Sequence, residues 1–240
     1  MSTTDVTSSP QPSIALSASL PPPTFPANWT LADLQHHVGD VPAERIRLFP
    51  PPGMATVEDA LWLDDHQDCL CELVDGVLVE KTMSTYESFL AAVLGHILNE
   101  FLDRQPLGMT TGADGQLQIL PSRMRIPDLA FIRWDQFPGG KLPDDSVYKI
   151  APDLAVEILS KGNPRREMEI KLDEYFQAGV RLVWYIDPRT RTAQVYTARD
   201  KCANIDETGV LDGGDVLPGF RLRLGELFER AERRSGAADR

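Results

Sequence analysis

Cysteine is scarce in this chain, three residues in 240, and an odd number argues against a disulfide framework. Cys69 and Cys71 form a C-x-C pair, but no second Cys or His pair lies nearby to complete a tetrahedral zinc site. They read as small buried apolar side chains. No apolar run approaches the roughly 20 residues of a membrane-spanning helix. Residues 1–12 lack Lys and Arg, and Ile14–Leu20 is broken by serines before it meets Pro21-Pro22-Pro23, so no secretory leader is expected. The expected compartment is the cytoplasm, with no membrane partner. Neither a Gly-rich phosphate loop nor a G-x-S-x-G elbow is present. The four histidines are dispersed: His36 and His37 near the N-terminal tail, His66 in an acidic stretch, His96 opposite the apolar face of its helix.

Positive charge is also short. Twenty-four basic against 36 acidic residues leave a net charge of −12, which opposes tight nonspecific binding to phosphate backbones. The balance is uneven along the chain. Residues 58–87 hold nine acidic and one basic side chain, whereas 161–201 hold nine basic and six acidic.

What remains is ordinary for a globular protein, with 42% hydrophobic and 25% charged residues. Residues 1–28, rich in Ser, Thr and Pro, read as a disordered tail. A short helix near 30–38 and the cluster Pro50-Pro51-Pro52-Gly53 make residues 29–55 a helix plus linker, and 231–240 a C-terminal tail. Between them, 56–230 carries the periodic patterns of one domain. Glu58–Leu63 suggests a short helix, and Asp75-Gly76 between two apolar runs signals a hairpin. Leu90, Val93, Leu94, Ile97, Leu98 and Phe101 fall at helical spacing within 84–103. Strands are predicted near 116–120, 128–133, 153–159, 181–186 and 192–197. A helix is expected to start at Asn163-Pro164, with Asn as N-cap, and to stop near Gly179; a last one is expected at 224–234. The class is α/β (α+β), a mixed central sheet flanked by helices.

Acids inside apolar runs are the most informative residues, because a buried carboxylate needs a partner or a metal. Glu157 lies within Leu154-Ala155-Val156-Glu157-Ile158-Leu159 and shares a strand face with Ala155 and Leu159. Asp128 begins a second run, Asp128-Leu129-Ala130-Phe131-Ile132. On neighbouring strands the two carboxylates can converge and hold a hard divalent cation. Glu87 projects toward the apolar side of its helix and is a third candidate, against the plainer reading of an N-terminal acid favoured by the helix dipole. Lys171 flanks the apolar stripe of the helix after Glu157, either snorkelling to water or pointing at the carboxylates. Lys161 is a second basic candidate. Asp153 shares Glu157's face but lies roughly 13 Å away along the strand, too far to share an ion.

Three segments, Cys71–Glu80, Arg125–Ile132 and Ala151–Ser160, followed by Lys171–Tyr175, Ala178-Gly179-Val180, Val183–Pro188 and Gly213–Phe220, resemble in order and spacing the Uma-two family of restriction endonucleases. That family is a bacterial branch of the PD-(D/E)XK nuclease superfamily. The resemblance implies a restriction-endonuclease-like fold with Asp128 and Glu157 on adjacent strands. Leucine stands at 159, where the superfamily has lysine; the family resemblance supplies that lysine from the next helix, as Lys171. The family's early glutamate matches Glu72, with Glu87 the competing choice. Ser160-Lys161-Gly162 departs from the family's usual Ser-Pro-Ser.

The expected activity is magnesium-dependent hydrolysis of DNA phosphodiester bonds, with manganese as a substitute metal. Asp128, Glu157 and the Ile158 carbonyl are the expected ligands, and a homodimer is possible. The alternative is a noncatalytic nuclease-like module that binds nucleic acid or a protein.

Overall fold

A computed structural model describes residues 25–232; of the expected tail at 1–28, residues 1–24 lie outside them, as does the chain beyond 232, while Phe25 stacks on Trp29 with ring centroids 4.7 Å apart. Two sheets and one long buried helix position everything that follows. The smaller sheet is five-stranded and antiparallel, in the order β1 (Ile46–Arg47), β3 (Val77–Glu80), β2 (Cys71–Val74), β6 (Arg123–Arg125), β5 (Leu117–Leu120). The larger sheet runs β11 (Lys201–Ile205), β10 (Thr192–Ala198), β9 (Leu182–Asp187), β8 (Leu154–Ile158), β7 (Leu129–Arg133), β4 (Gly108–Thr111). Only β8 and β9 pair in parallel, so this sheet is mixed. A small ribbon, β12 (Val210–Asp212) with β13 (Arg221–Arg223), precedes the last helix. The expected mixed α/β architecture is what is found.

Helices α1 (Leu31–His37), α2 (Val57–Gln67), α3 (Thr85–Leu102), α4 (Arg165–Ala178) and α5 (Leu224–Glu232) complete the fold. Helix α3 buries Leu90, Leu94, Leu98 and Phe101 and, with α5, covers one face of the larger sheet through Leu129, Phe131, Leu154, Val156 and Trp184. Helix α4 covers the opposite face, packing Met168, Leu172 and Tyr175 on Ala130, Ile132, Ala155 and Val183. The period-two rule then decides where Glu157 goes. Glu157 has the parity of Ala155 and projects toward α4, where it meets Lys171 and Tyr175, while Asp128, just ahead of β7, turns to the Ile158 amide at the end of the sheet.

Two local details differ from expectation. Helix α4 begins one residue later than the Asn-Pro pattern suggests, with Pro164 as N-cap. Asn163 is used otherwise: its Oδ1 accepts from the Ser160 amide and hydroxyl, both at 2.9 Å, closing a turn. Residues 29–55, expected as helix and linker, supply α1 and the edge strand β1. They also supply Arg45, whose guanidinium grips Glu167 of α4 through two buried hydrogen bonds of 2.8 and 3.0 Å.

Helix α4 ends at Gly179, whose φ of +96° is a left-handed conformation that suits glycine. Its amide donates to the Phe176 carbonyl at 3.1 Å, closing the last turn.

Candidate active site

Asp128 immediately precedes β7, and the register Leu129↔Val156 sets it beside the end of β8 that carries Glu157 and Ile158. Its Oδ2 accepts the Ile158 amide at 2.6 Å, and its Oδ1 meets the Lys81 ammonium at 2.7 Å. A strand residue presents its N–H and C=O to the same neighbour, so the Ile158 carbonyl also lies on the Asp128 side of β8.

Glu157 stands in the wholly buried strand β8 and is 4% exposed, against 6% for Asp128. Its Oε1 accepts the Tyr175 hydroxyl at 2.5 Å, and its two oxygens lie 3.4 and 3.3 Å from the Lys171 ammonium. Lys171, also 4% exposed, is held more tightly by Glu72, whose Oε1 is 2.9 Å away. Glu72 leaves β2 and takes the Arg125 guanidinium at 2.7 Å and the Ile126 amide at 3.2 Å. Arg125 in turn meets Glu174 at 2.5 Å, and Glu174 meets Arg123 at 2.5 Å.

A continuous line of alternating charge therefore runs from Glu157 through Lys171, Glu72, Arg125 and Glu174 to Arg123, most of it sealed between α4 and the smaller sheet. Charges this deep persist only when matched. Helix α4 places Glu167, Lys171 and Glu174 on one buried stripe, and each finds its partner on the other sheet or on the segment leading into it.

The electrostatics divide the two glutamates. Burial pushes Glu72 toward neutrality, but Lys171 and Arg125 beside it outweigh burial and hold its carboxyl well below the ordinary range. Burial drives the Glu157 carboxyl upward; Lys171 opposes the rise, but the nearby negative charge of Asp128 adds to it. That repulsion is the mark of two carboxylates sharing a confined space. Burial works against the Lys171 ammonium too, and Glu157 and Glu72 overcome it, keeping the lysine protonated well above its usual range.

Asp128, Glu157, Lys171 and Glu72 thus come together as a group. Glu87 does not join them. It is the third helical residue of α3, and its carboxylate accepts the Ser84 amide at 2.8 Å in a reciprocal capping box. The pattern Ser84-x-x-Glu87 was a sign of this role. Lys161 is exposed in the loop before α4, so of the two lysines the sequence offered it is Lys171 that reaches Glu157, while Asp128 is met by Lys81. Asp153 anchors the far end of β8, accepting from the Arg133 amide at 2.9 Å and from Arg181 at 2.6 Å. Cys69 and Cys71 are buried free thiols whose sulfurs lie 3.7 Å apart, and burial pushes the Cys71 thiol up to about 12.

Sequence reasoning missed Lys81, Arg125 and Glu174, and it read Tyr175 only as core. Lys81 carried a signal, being the one basic residue in the acidic stretch 58–87.

Among the described residues, no three or more His, Cys, Asp or Glu side chains are gathered to hold a metal by themselves. A cation here must draw on two carboxylates, a main-chain carbonyl and water. Magnesium, which keeps several waters and takes one or two carboxylates, suits that donor set, and the mutual repulsion of Asp128 and Glu157 fits a bound cation. Among the described residues no helix is long and apolar enough to cross a membrane.

No curated protein matches this chain. Among solved structures, it is similar to the crystal structure of "a putative nuclease belonging to DUF820" from Anabaena variabilis. The two share 19% identity and a TM-score of 0.62 over 69% of this chain and 93% of that one, a likeness of fold. The sequence profile of the Uma2 family, described as "Putative restriction endonuclease", matches residues 57–225, more than half of the chain. On that match, around the site just described, the chain belongs to the Uma2 family.

Proposed function

We propose that the protein hydrolyses phosphodiester bonds in DNA with a divalent metal, magnesium or manganese, held by Asp128, Glu157 and the Ile158 carbonyl. The observation that carries this reading is the convergence of two mutually repelling, buried carboxylates at one end of β7 and β8, with a lysine from α4 against one of them. When bound, such a metal supplies Lewis-acid polarisation of the scissile phosphate and lowers the pKa of a bound water.

The protein's own groups have separable tasks. Asp128 and Glu157 provide the hard oxygen donors, and Tyr175 fixes the Glu157 carboxylate by its hydrogen bond at 2.5 Å. Lys171, protonated between Glu157 and Glu72, is a positive charge rather than a proton acceptor. Its role is to orient the attacking water and to stabilise negative charge growing on the phosphate oxygens. Glu72 and Arg125 keep that ammonium from wandering, since Glu72 is fixed at both oxygens.

Asp128→Asn and Lys171→Met test the assignment. Each should lower magnesium-dependent cleavage of plasmid DNA by at least about a hundredfold, with an unchanged circular dichroism spectrum. Cleavage by Asp128→Asn at the wild-type rate removes the metal site from the mechanism.

A noncatalytic module is the second reading. It is favoured by one observation: both carboxylates already have lysine partners, Lys81 on Asp128 and Lys171 on Glu157. Calorimetry with manganese separates the two, because the module should show no binding that depends on Glu157.

A further inference from the structure

Lys81 is the residue that the proposed chemistry leaves unexplained. It follows strand β3, its amide donates to the Leu70 carbonyl at 2.8 Å, and its side chain turns inward to Asp128. The ammonium meets Asp128 Oδ1 at 2.7 Å and also donates to the Ile126 carbonyl. It thus has a carboxylate oxygen and a carbonyl oxygen around it, the donor types a hard cation takes. We propose that Lys81 is a built-in counter-ion that competes with the divalent metal for Asp128 and sets how tightly the site binds it. This rests on the metal-dependent reading above.

Both oxygens of Asp128 are in use. Oδ2 accepts the Ile158 amide at 2.6 Å, and that donor is part of strand β8 and cannot withdraw. Among the described residues, Oδ1 is held by Lys81. Oδ1 keeps a second lone pair, but a cation placed on it would stand against the ammonium 2.7 Å from that oxygen, so direct binding to Asp128 is opposed until Lys81 withdraws. Lys171 is in a different position. It lies closer to Glu72, at 2.9 Å, than to Glu157, at 3.3 Å, so it keeps a partner when Glu157 turns to a metal.

Lys81 also has somewhere to go. Its side chain borders a groove of about 420 Å³ with Met83, Ser88 and Ala113. A second groove of about 450 Å³, walled by Asp128, shares Ser88 and Ala113 with the first. A flexible four-carbon stem can carry the ammonium out along that opening while the backbone stays fixed. Without metal, Lys81 spares Asp128 the cost of an unpaired buried charge. With metal, it is expelled.

The test is manganese calorimetry on the full chain without nucleic acid, using wild type, Lys81→Met, Lys81→Gln, Lys81→Arg and the double variant Lys81→Met/Asp128→Asn. Removing the charge should tighten manganese binding by about tenfold or more. Lys81→Arg, which keeps the charge, should show no such gain, and Asp128→Asn should cancel it. Thermal melts give a second readout: Lys81→Met should melt below wild type without metal and be raised more by manganese. If Lys81→Met does not fold, Lys81→Gln, which can still donate to Asp128, carries the test. Equal or weaker binding by the uncharged variants, with wild type binding normally, overturns the competition and leaves the nuclease reading standing. No binding by any form overturns both.

Discussion

Glu157 is held in its strand against electrostatic preference: burial and the Asp128 charge favour its protonated form, against the opposing charges of Lys171 and Lys81, and the Tyr175 hydroxyl donates to it. A carboxyl whose folded pKa lies above the unfolded value stabilises the fold only while protonated. Its contribution is complete at low pH and is lost as pH rises from the ordinary value near 4.5 through the raised one. Glutamine mimics the protonated form and keeps an oxygen for Tyr175. Glu157→Gln should therefore be more stable than wild type at pH 8, with the difference closing toward pH 4. Thermal melts across that range decide it, and a Glu157→Gln protein less stable than wild type at pH 8 contradicts the account. The same residue explains what was legible beforehand. Glu157 and Asp128 stand out in the sequence because an acid in an apolar run has no bland explanation. Lys81 sits among polar neighbours, and Arg125 and Glu174 alternate with apolar ones as the wet side of an amphipathic element does, so in each case a buried charge looks like a solvated one.

Helix α4 shows the same limit at the scale of an element. Its apolar stripe of Met168, Leu172 and Tyr175 is visible as a 3.6-residue pattern. Of its second buried stripe, Lys171 stands out in the sequence for flanking the apolar one, but Glu167 and Glu174 read as a wet face, because hydrophobic periodicity cannot report an ion pair whose partner lies some fifty or more residues away. Long apolar elements were legible: α3 and the apolar strands of both sheets fall within a few residues of expectation. The strands β1, β4, β6, β11, β12 and β13 were not, being two to five residues long and mostly polar, so that pairing partners rather than their own patterns make them strands. The hairpin between β2 and β3 was legible for a steric reason. Asp75 and Gly76 have φ of +48° and +73°, and a Cβ on Gly76 would stand 2.5 Å from the Gly53 backbone. Gly76→Val should cost about 2 kcal/mol or more in urea unfolding. A cost within 0.5 kcal/mol, the range of a neutral surface change, would mean the turn is not as tight as described. The hairpin matters to the site because β2 delivers Glu72 and β3 leads to Lys81.

On the scale of the whole molecule, the site is assembled by clamping α4 between two sheets, and the clamp reaches back to the N-terminal segment. Arg45 holds Glu167, and Arg166 donates to the His36 carbonyl at 2.9 Å. Breaking a buried pair by removing one partner leaves the other charge uncompensated. Arg45→Ala should thus destabilise the protein by about 3–5 kcal/mol, and do so for the whole domain, seen as one cooperative transition shifted in denaturant. A local loss at residues 29–55 alone, with the rest unfolding at the wild-type midpoint, would show that segment to be an appendage. The net charge of −12 sets a second global property: any attraction to a nucleic acid must be local and salt-sensitive, drawn from a basic stretch such as 161–201, which includes α4.

The claim on which all of this turns is that Asp128 and Glu157 share one divalent cation. Crystals soaked in manganese, with data collected at its absorption edge, test it directly. The account predicts an anomalous peak bounded by the Asp128 and Glu157 carboxylates and the Ile158 carbonyl, with the Lys81 ammonium displaced from Asp128. Full manganese soaking with no peak there, and both carboxylates still paired to their lysines, would contradict it.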